Sequence, residues 1–235
     1  PHFVFSSTAA VYGTQESAVP VRESVTPRPE SPYGVSKLMS EMMLRDTAQA
    51  HAFSYVALRY FNVAGADPKG RAGQSTVGAT HLIKVACEAA LGRRASIDVY
   101  GTDYNTPDGT GVRDYIHVSD LVEAHLRALA YLRQGGASLT ANCGYGQGYS
   151  VLQVLQAVMR VHGGRFGVRY APRRAGDPAS IVADPSLARE ALGWVPSHDD
   201  LDGIVRNALD WEERLARKNS YDIESMHQML ASARF

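Results

Sequence analysis

The order of an apolar run, a helical pattern and a second apolar run constrains the fold of this chain most strongly. Phe3 to Ser7 is a short apolar run that ends in hydroxyl side chains, a pattern typical of a buried parallel strand. Residues 54–62 read as a second strand. Between them, apolar side chains recur with helical spacing from about residue 33 to residue 50, at Val35, Leu38, Met39, Met42 and Met43. A strand, a helix and a strand in this order predict a right-handed parallel crossover and an α/β fold.

Downstream segments continue the alternation of strands and helices. We expect residues 63–66 to form the loop that leaves the second strand, and the segment 101–111 to wrap a surface or a ligand. Ser119 or Asp120 is expected to cap a helix. The other predicted elements are a helix over 80–91, strands over 97–100 and 139–143, a helix beginning at Ser150, and helices over 186–192 and 201–217.

Composition argues against several classes of partner. Basic and acidic side chains balance at 24 each, so no overall field favours nucleic acid or an anionic membrane. No apolar stretch approaches the roughly 20 residues that a membrane-spanning helix needs. Cys87 and Cys143 lie in apolar segments without metal-ligand spacing, so we expect packed, reduced thiols and no metal site. A cytoplasmic setting fits these features.

Tyr33 and Lys37 form the pair with the clearest chemical potential. They lie four positions apart on the predicted helix, so the phenol and the ammonium are one turn apart on the same face. A cation within a few Å lowers the pKa of a phenol by about 1–3 units, which favours proton transfer near neutral pH. Such pairs also occur as solvated contacts on helix surfaces. The pair is therefore a candidate proton-transfer site that depends on its sequence context.

Four sequence motifs surround this pair in a characteristic order. They are S-S-T-A-A-V-Y-G at 6–13, S-P-Y-G-V-S-K at 31–37, R-Y-F-N at 59–62 and G-V-R-D-Y-I-H-V at 111–118. Two further matches are A-P-R-R-A-G-D-P at 171–178 and L-G-W at 192–194. In these motifs the chain resembles, over about residues 1–217, the UDP-glucose 4-epimerases of the extended short-chain dehydrogenase/reductase superfamily.

The resemblance implies a fold and a division of the chain. The fold would be the C-terminal part of a Rossmann-type parallel sheet plus a smaller mixed α/β substrate-binding domain. Residues 1–65 would belong to the NAD-binding domain and residues 66–220 to the nucleotide-sugar-binding domain, with the strand near 139–143 returning to the Rossmann sheet. Residues 221–235 would be a tail.

The opening of the sequence lacks one feature of that family. Its members begin with a glycine-rich turn that holds the NAD pyrophosphate at a helix N-terminus. Here the first residues already read as a buried strand. We therefore expect an N-terminal segment to be missing, and NAD to bind this chain alone poorly or not at all.

The same resemblance implies a reaction and its catalytic residues. UDP-glucose and UDP-galactose would interconvert through a transient 4-keto sugar with tightly bound NAD. Tyr33 would remove the proton of the sugar 4-hydroxyl, Lys37 would hold the nicotinamide ribose, and Thr8 would hydrogen-bond the reacting oxygen. Ser6 and Phe61 would contact the cofactor together with Tyr33 and Lys37.

Further positions are implied to bind the nucleotide sugar. Arg113 and Arg174 would grip the diphosphate, because planar guanidinium groups suit phosphate oxygens. A surface salt bridge is the alternative for each arginine. The remaining substrate positions are Asn62 at the pyrophosphate and sugar, Asp177 near the uridine ribose, and Val99 and Tyr100 on the strand that lines the uracil.

Two positions depart from the common family pattern. His81 stands where many members carry an asparagine that donates to the substrate phosphate, and an imidazole N–H can make the same bond. Ile181 stands where a bulky tyrosine restricts some members to glucose and galactose, whereas smaller residues admit N-acetyl sugars. UDP-N-acetylglucosamine and UDP-pentose 4-epimerases therefore stay open as alternatives, as does an inactive, truncated fragment that binds nucleotide sugars.

Four other patterns have competing interpretations. Ala9-Ala10 replaces the Asp-Glu pair that nucleotide-sugar 4,6-dehydratases use for elimination, which favours epimerisation. Residues 144–148, G-Y-G-Q-G, lack the full spacing of a dinucleotide fingerprint and predict a tight turn instead. His117 is expected to be structural. The methionines at 39, 42 and 43 could pack in the core, or, as we favour, face a twin helix across a homodimer interface.

Overall fold

The computed structural model describes residues 1–15 and 20–232, with side chains as far as Arg217. A short 3₁₀ helix spans Ala9–Val11. The α-helices in the described residues are α1 (Pro32–Ala50), α2 (Leu82–Ala90), α3 (Val118–Arg133), α4 (Val151–His162), α5 (Ser186–Leu192) and α6 (Leu201–Ser232). The strands are β1 (His2–Thr8), β2 (Ser54–Tyr60), β3 (Asn62–Ala64), β4 (Ser96–Tyr100), β5 (Val112–His117), β6 (Leu139–Cys143), β7 (Gly148–Ser150), β8 (Gly167–Ala171) and β9 (Ser180–Ile181).

A three-stranded parallel sheet carries the order β1-β2-β6. β1 and β2 pair without a break from His2 opposite Ser54 to Thr8 opposite Tyr60. β6 pairs in parallel with the other edge of β2, so that Cys143 lies opposite Tyr60. The carboxyl ends of the three strands therefore meet at one edge. The predicted α/β fold with a parallel sheet is confirmed.

Helices α1 and α3 cover opposite faces of this sheet. The side chain of Ser7 reaches Glu41 of α1, whereas that of Ser6 reaches His125 of α3. Successive side chains of a strand point to opposite faces, so the two contacts lie on the two sides. The result is a helix, sheet and helix arrangement.

A second region begins where the chain leaves β2. Phe61 N donates to the carbonyl of Cys143 at 3.1 Å, and the next residues pair in parallel with β5 as β3. The predicted single strand over 54–62 is therefore two strands. The loop predicted over 63–66 is wrong for its first two residues, because the chain crosses directly from one sheet to another. β5 also pairs with β7 and β9, while β4 pairs with β8.

The larger core lies among the parallel sheet, α2, α3, α4 and α6. Trp194 is fully buried there, and its Nε1 donates to the carbonyl of Asp120 at 2.9 Å. The Trp194 ring stacks on Tyr145 with the ring centroids 6.5 Å apart. Burying an aromatic side chain of this size contributes about 1.5–3 kcal/mol. Its indole N–H is satisfied, as a buried polar group requires.

The start of α3 differs from the predicted cap. The N-cap is His117, whose Nδ1 accepts a hydrogen bond from Ser119 N at 3.0 Å. The prediction of Ser119 or Asp120 as the cap is therefore wrong. The imidazole of His117, two residues before Ser119, is the side chain that caps the helix. Asp120 instead accepts from Tyr145 Oη at 2.6 Å and from His198 N at 2.9 Å. The predicted cap at Ser150 is confirmed as a capping box with Gln153.

The last helix is longer than the predicted span of 201–217. α6 continues to Ser232, so most of the predicted tail over 221–235 is helical. Residues 233–235 lie outside the described residues, and the division into domains stays a prediction. Within the described chain, no helix has both the length and the apolar character needed to cross a membrane.

Candidate functional site

A cavity of about 380 Å³ opens at the carboxyl ends of β1 and β2. Its walls come from the 3₁₀ helix, from β3, from β5 and from the segment 175–181. Six of the residues predicted for the site line it, namely Thr8, Phe61, Asn62, Arg113, Asp177 and Ile181. The fold thus brings together residues that are far apart in the sequence.

Thr8 is the last residue of β1 and the N-cap of the 3₁₀ helix. Its Oγ1 accepts a hydrogen bond from Ala10 N at 3.2 Å. This contact fixes the position of the oxygen and leaves the hydroxyl proton free to donate. The side chain is buried but lines the cavity. Thr8 can therefore donate to an oxygen atom of a bound ligand.

Tyr33 and Lys37 lie side by side on α1, as their spacing predicts. The Lys37 ammonium is 5.9 Å from the centroid of the Tyr33 ring and 5.0 Å from that of Phe5. Lys37 Nζ also donates to the carbonyl of Ser6 at 2.9 Å. Tyr33 is 52% exposed, and its hydroxyl has no hydrogen-bond partner among the described residues. Its phenol is therefore available to a ligand.

The first turn of α1 sits directly on the 3₁₀ helix. Ser31 caps α1 by accepting from Gly34 N at 3.1 Å, and Pro32 follows at the first helical position. A Cβ at Gly34 would lie 2.5 Å from the carbonyl oxygen of Ala10. Only glycine fits so close to that backbone. This approach places the Tyr33 end of α1 beside the cavity, which Ser31 itself lines.

Ser6 adds an acceptor to the same neighbourhood. Its Oγ lies 2.9 Å from His125 Nε2, while His125 Nδ1 lies 2.8 Å from the carbonyl of Leu121. A carbonyl only accepts, so Nδ1 carries the proton and Nε2 accepts from the Ser6 hydroxyl. The neighbouring Tyr60 hydroxyl also bonds the Ser6 side chain, which leaves the Ser6 oxygen at most one lone pair for a ligand.

These donors and acceptors suit a ribose. A ribose presents neighbouring hydroxyls that both donate and accept, and the site offers the Lys37 ammonium, the Tyr33 hydroxyl and the Ser6 oxygen. Tyr60 stands beside them on the cavity wall, and burial followed by the nearby Tyr33 phenol raises its pKa. Tyr60 is thus a neutral hydroxyl. The residues present fit the nicotinamide ribose of NAD that the sequence predicts.

Arg113 faces Asp177 across the 380 Å³ cavity, which both residues line. Its Nη2 lies 4.0 Å from Asp177 Oδ1, which is within reach of an ion pair but too long for a hydrogen bond, and its Nη1 donates to the carbonyl of Val112 at 2.8 Å. The alternative of a surface salt bridge at Arg113 therefore stays a prediction. The guanidinium keeps donors for an anionic ligand.

Arg174, Tyr100 and Val99 lie away from this cavity. The Arg174 guanidinium stacks on the Tyr100 ring, with its Cζ 3.7 Å from the centroid. Val99 is fully buried in the core, backbone included, so it is not exposed to a ligand. Neither the 380 Å³ cavity nor the larger one described next includes these three residues.

His81 lies on a second cavity of about 900 Å³, which shares Asn62 with the first. His81 is the N-cap of α2, and Gln74 Nε2 donates to its Nδ1 at 2.9 Å. The proton of the imidazole then sits on Nε2, where it can donate to an anion. The free N–H groups at the start of α2 also favour a negative ligand. Asn62 links the two cavities.

Residues 144–147 form a turn, as predicted, but it leads from β6 into the short strand β7, which begins at Gly148, and not directly into a helix. Asp114 accepts hydrogen bonds there from Tyr145 N and Gly146 N, both at 2.9 Å. Burial raises the pKa of Asp114 to about 6, although these backbone donors oppose the rise. A Cβ at Gly144 would lie 2.6 Å from the Asp114 carboxylate. Gly144 and Gly146 thus accommodate a buried carboxylate, whereas a Cβ at Gly148 would meet Val112 and Val182.

Several residues on the smaller cavity were not predicted from the sequence. They include Glu30, Ser31, Tyr60 and Gly176. Tyr60 directly precedes Phe61 and Asn62 at a strand end, so its position was available as a signal. Glu30 and Gly176 lie in loops, where no periodicity reports which side chains face inward.

Known proteins resemble this chain in sequence and in fold. The sequence profile of the NAD dependent epimerase/dehydratase family matches residues 1–144. A UDP-glucose 4-epimerase of Azospirillum brasilense is 61% identical over 212 residues, which are 90% of this chain and 61% of that protein. The chain thus spans less than two thirds of that relative.

Two solved structures share the fold closely. One is the UDP-glucose-4-epimerase from Stenotrophomonas maltophila with bound NAD and formylated UDP-arabinopyranose, with a TM-score of 0.89 and 42% identity over 92% of this chain and 65% of that one. The other is the UDP-Glc/GlcNAc 4-epimerase from Campylobacter jejuni. Its TM-score is 0.75 at 48% identity, over 91% of this chain and 64% of that one.

Proposed function

Because this chain belongs to the NAD dependent epimerase/dehydratase family, we propose that it carries the proton-transferring and sugar-binding side of a UDP-glucose 4-epimerase. The observation that carries this proposal is the meeting of two elements at one cavity. β1 delivers Thr8 to the cavity, and α1, whose N-cap Ser31 lines the same cavity, carries Tyr33 two residues further on with Lys37 beside it. The similarity to the Azospirillum brasilense epimerase supports the choice of reaction.

Proton transfer at the sugar falls to Tyr33. Its hydroxyl is exposed and without an internal partner in the described structure, so it can approach the 4-hydroxyl of a bound sugar. The Lys37 ammonium, 5.9 Å from the ring, stabilises the negative charge that the phenol oxygen carries before it takes the proton. Thr8 donates to the same sugar oxygen, and Tyr33 returns the proton after the sugar has turned over. Bound NAD supplies the acceptor and donor of hydride at the sugar carbon.

The nucleotide end must be held more firmly than the sugar end, because the 4-keto sugar has to turn between the two transfers. Arg113 offers donors to a diphosphate from one side, and Asn62 offers its amide from the floor shared by the two cavities. His81 offers its Nε2–H at the start of α2. Arg174 reaches a phosphate once it leaves the Tyr100 ring, and Asp177 accepts from a ribose hydroxyl.

A wider sugar range is a second candidate. Ile181 is buried in the wall of the smaller cavity and is shorter than the tyrosine of glucose-restricted relatives. The Campylobacter jejuni structure belongs to an epimerase named for both UDP-Glc and UDP-GlcNAc. A substrate panel with UDP-N-acetylglucosamine and a UDP-pentose tests this range.

The exposed side of α1 is the proposed interface of a homodimer. Val35, Met39, Met42 and Met43 are all exposed, and Met43 is 63% exposed. A large exposed apolar face is typical of a protein contact.

The buried free thiols of Cys87 and Cys143 suit a reducing compartment, and we keep the cytoplasm as the proposed location.

The direct test incubates the full-length protein, supplied with NAD, with UDP-galactose. We expect UDP-glucose to form, and the reverse reaction to reach the same equilibrium mixture. Folded protein that binds nucleotide sugar but never converts it would contradict the proposal and favour a binding role. NMR distinguishes the two sugar nucleotides in the reaction mixture.

A further inference from the structure

Glu41 is an unusual residue for the packed face of α1. Among the described helix residues, only Gly34 and Glu41 are buried, and Glu41 is 7% exposed. A buried carboxylate is costly unless it is paired. The methionines of the helix are exposed, whereas Leu38 is partly buried and packs against a small apolar cluster that includes Val11. The most buried side chain by which α1 contacts the sheet is therefore a carboxylate.

Arg59 of β2 pairs with this carboxylate. Arg59 Nε lies 2.9 Å from Glu41 Oε1, and Arg59 Nη2 lies 2.5 Å from Glu41 Oε2. The arrangement is a two-pronged guanidinium–carboxylate contact, which fixes both distance and orientation. Arg59 is equally buried. The pair therefore holds α1 at one height on the sheet.

Ser7 of β1 completes the attachment. Its Oγ donates to Glu41 Oε1. Ser7 stands between Ser6, which binds Lys37, and Thr8, which lines the cavity. A single carboxylate thus touches the strand residue that separates two residues of the proposed site.

On α1, Glu41 lies on the same face as the two residues of the proposed site. Tyr33, Lys37 and Glu41 are spaced four residues apart, so they form one stripe on α1. Glu41 lies about 12 Å along the axis from Tyr33 at 1.5 Å per residue. A rotation of α1 about its axis at Glu41 would move the Tyr33 phenol sideways by the same angle.

The network continues to the end of the 3₁₀ helix and to β6. Arg59 Nη1 donates to Tyr12 Oη at 3.0 Å, and Tyr12, the C-cap of the 3₁₀ helix, donates to Asn142 Oδ1 at 2.7 Å. Burial raises the pKa of Tyr12 to about 12, so its hydroxyl keeps the proton that this direction of bonding requires. Glu41 is therefore held by groups that cannot easily move.

We infer that Glu41 is a positioning residue for the proposed epimerisation. By bonding Ser7 and Arg59 it fixes the rotation and height of α1 against β1, which keeps Tyr33 and Lys37 aligned with Thr8 and Ser6. The inference rests on the proposed function. A misplacement of about 1 Å at a reacting group can cost on the order of 100-fold in rate.

Glu41→Gln in the full-length protein tests this directly. The amide keeps the shape of the side chain but removes the charge and turns one acceptor into a donor. We expect kcat for UDP-galactose to fall roughly 10- to 100-fold, with KM and the Kd for UDP within about twofold, in protein shown to be folded by circular dichroism. A purely structural role would lower the melting temperature without this split between kcat and KM.

Two companion variants keep the test decisive. Ser7→Ala removes only the contact to β1 and leaves the buried ion pair, so it folds more safely, and we expect a several-fold loss of kcat. Asp120→Asn is the matched control, because it also changes a buried carboxylate to an amide but lies at the start of α3. We expect it to lower the melting temperature and to leave kcat unchanged.

The outcomes separate this inference from the function on which it rests. Wild-type protein that does not epimerise overturns both. An active wild type whose folded Glu41→Gln and Ser7→Ala variants keep normal kcat overturns only the role of Glu41. A drop in kcat for Asp120→Asn as large as for Glu41→Gln would also overturn it, because any buried carboxylate would then do the same.

Discussion

Lys37 donates a hydrogen bond from its ammonium to the backbone carbonyl of Ser6 at 2.9 Å. This bond joins the helix that carries Tyr33 to the strand that ends in Thr8. It also holds the ammonium 5.9 Å from the Tyr33 ring. One lysine thus joins the helix to the strand and places a positive charge near the Tyr33 ring.

Replacing Lys37 by methionine removes the charge and the bond to Ser6 while keeping a long side chain. We expect kcat of the full-length protein for UDP-galactose to fall at least about 100-fold, because charge on the phenol oxygen is no longer stabilised. Lys69→Met, at an exposed loop position, is the control and should keep wild-type kcat. Equal kcat in Lys37→Met and the control would contradict a catalytic role for Lys37.

Gly34→Ala tests the close approach of α1 to the 3₁₀ helix. The new Cβ would lie 2.5 Å from the Ala10 carbonyl, so the helix has to move away from the strand end. We expect a loss of about 1–3 kcal/mol in the free energy of unfolding and a lower kcat.

The control for this substitution is Gly203→Ala in α6. The nearest atom to a Cβ there would be Asp200 Oδ2 at 3.1 Å, the end of an exposed side chain that accepts from Gly203 N, and alanine favours a helix by about 1 kcal/mol over glycine. We expect urea unfolding to report stability unchanged or raised. If Gly34→Ala behaves like Gly203→Ala, the helix is not seated as described.

The sequence predicted the existence of α1 well but not the way it packs. The spacing of Val35, Met39 and Met42 reports an apolar stripe, and such a stripe fits a core or an interface equally. Burial of Glu41 depends on Arg59, eighteen residues away on another element. No local pattern announces that pairing, because it arises only when the strand and the helix meet.

The residues of the candidate site were also predictable only in part, because a motif identifies residues but not how they pack. Motif resemblance pointed to Thr8, Asn62 and Arg113, and these residues share a cavity. The same resemblance could not report that Val99 is fully buried or that Arg174 rests on the Tyr100 ring. Such details depend on packing between segments far apart in the sequence, which a linear motif does not contain.

Asp114 gives a testable dependence of stability on pH. Burial raises its pKa to about 6, above the ordinary value of about 3.9. Between about pH 4 and pH 6 the native state therefore binds more protons at Asp114 than the unfolded state. By linkage, its contribution to the free energy of unfolding falls as pH rises through that window.

Asp114→Asn removes this contribution. We expect the stability of wild type relative to the variant to decline from pH 4 to pH 6, when both are unfolded in urea. The variant should also lose about 1–3 kcal/mol, because an amide N–H would face the backbone N–H groups of the turn. Asp46→Asn, on the exposed end of α1, is the control. A constant difference from pH 4 to pH 6 would contradict the raised pKa.

Met43→Glu tests the proposed homodimer. The side chain is 63% exposed on the apolar face of α1, and a charge there would be buried without a partner at an interface. We expect light scattering after gel filtration to show a dimer for the full-length protein and a monomer for the variant. Val77→Glu, at an almost fully exposed position away from α1, should stay dimeric. A dimer in both variants would place the contact elsewhere.

The most direct test of the account is the turnover of UDP-galactose by Tyr33→Phe in the full-length protein. The variant lacks only the hydroxyl, so UDP should bind within about twofold of wild type while kcat falls by about 100-fold or more. Tyr131→Phe on α3 controls for loss of a phenol elsewhere and should keep wild-type kcat. A Tyr33→Phe enzyme that converts UDP-galactose at the wild-type rate would contradict the assignment of Tyr33 as the proton-transferring residue.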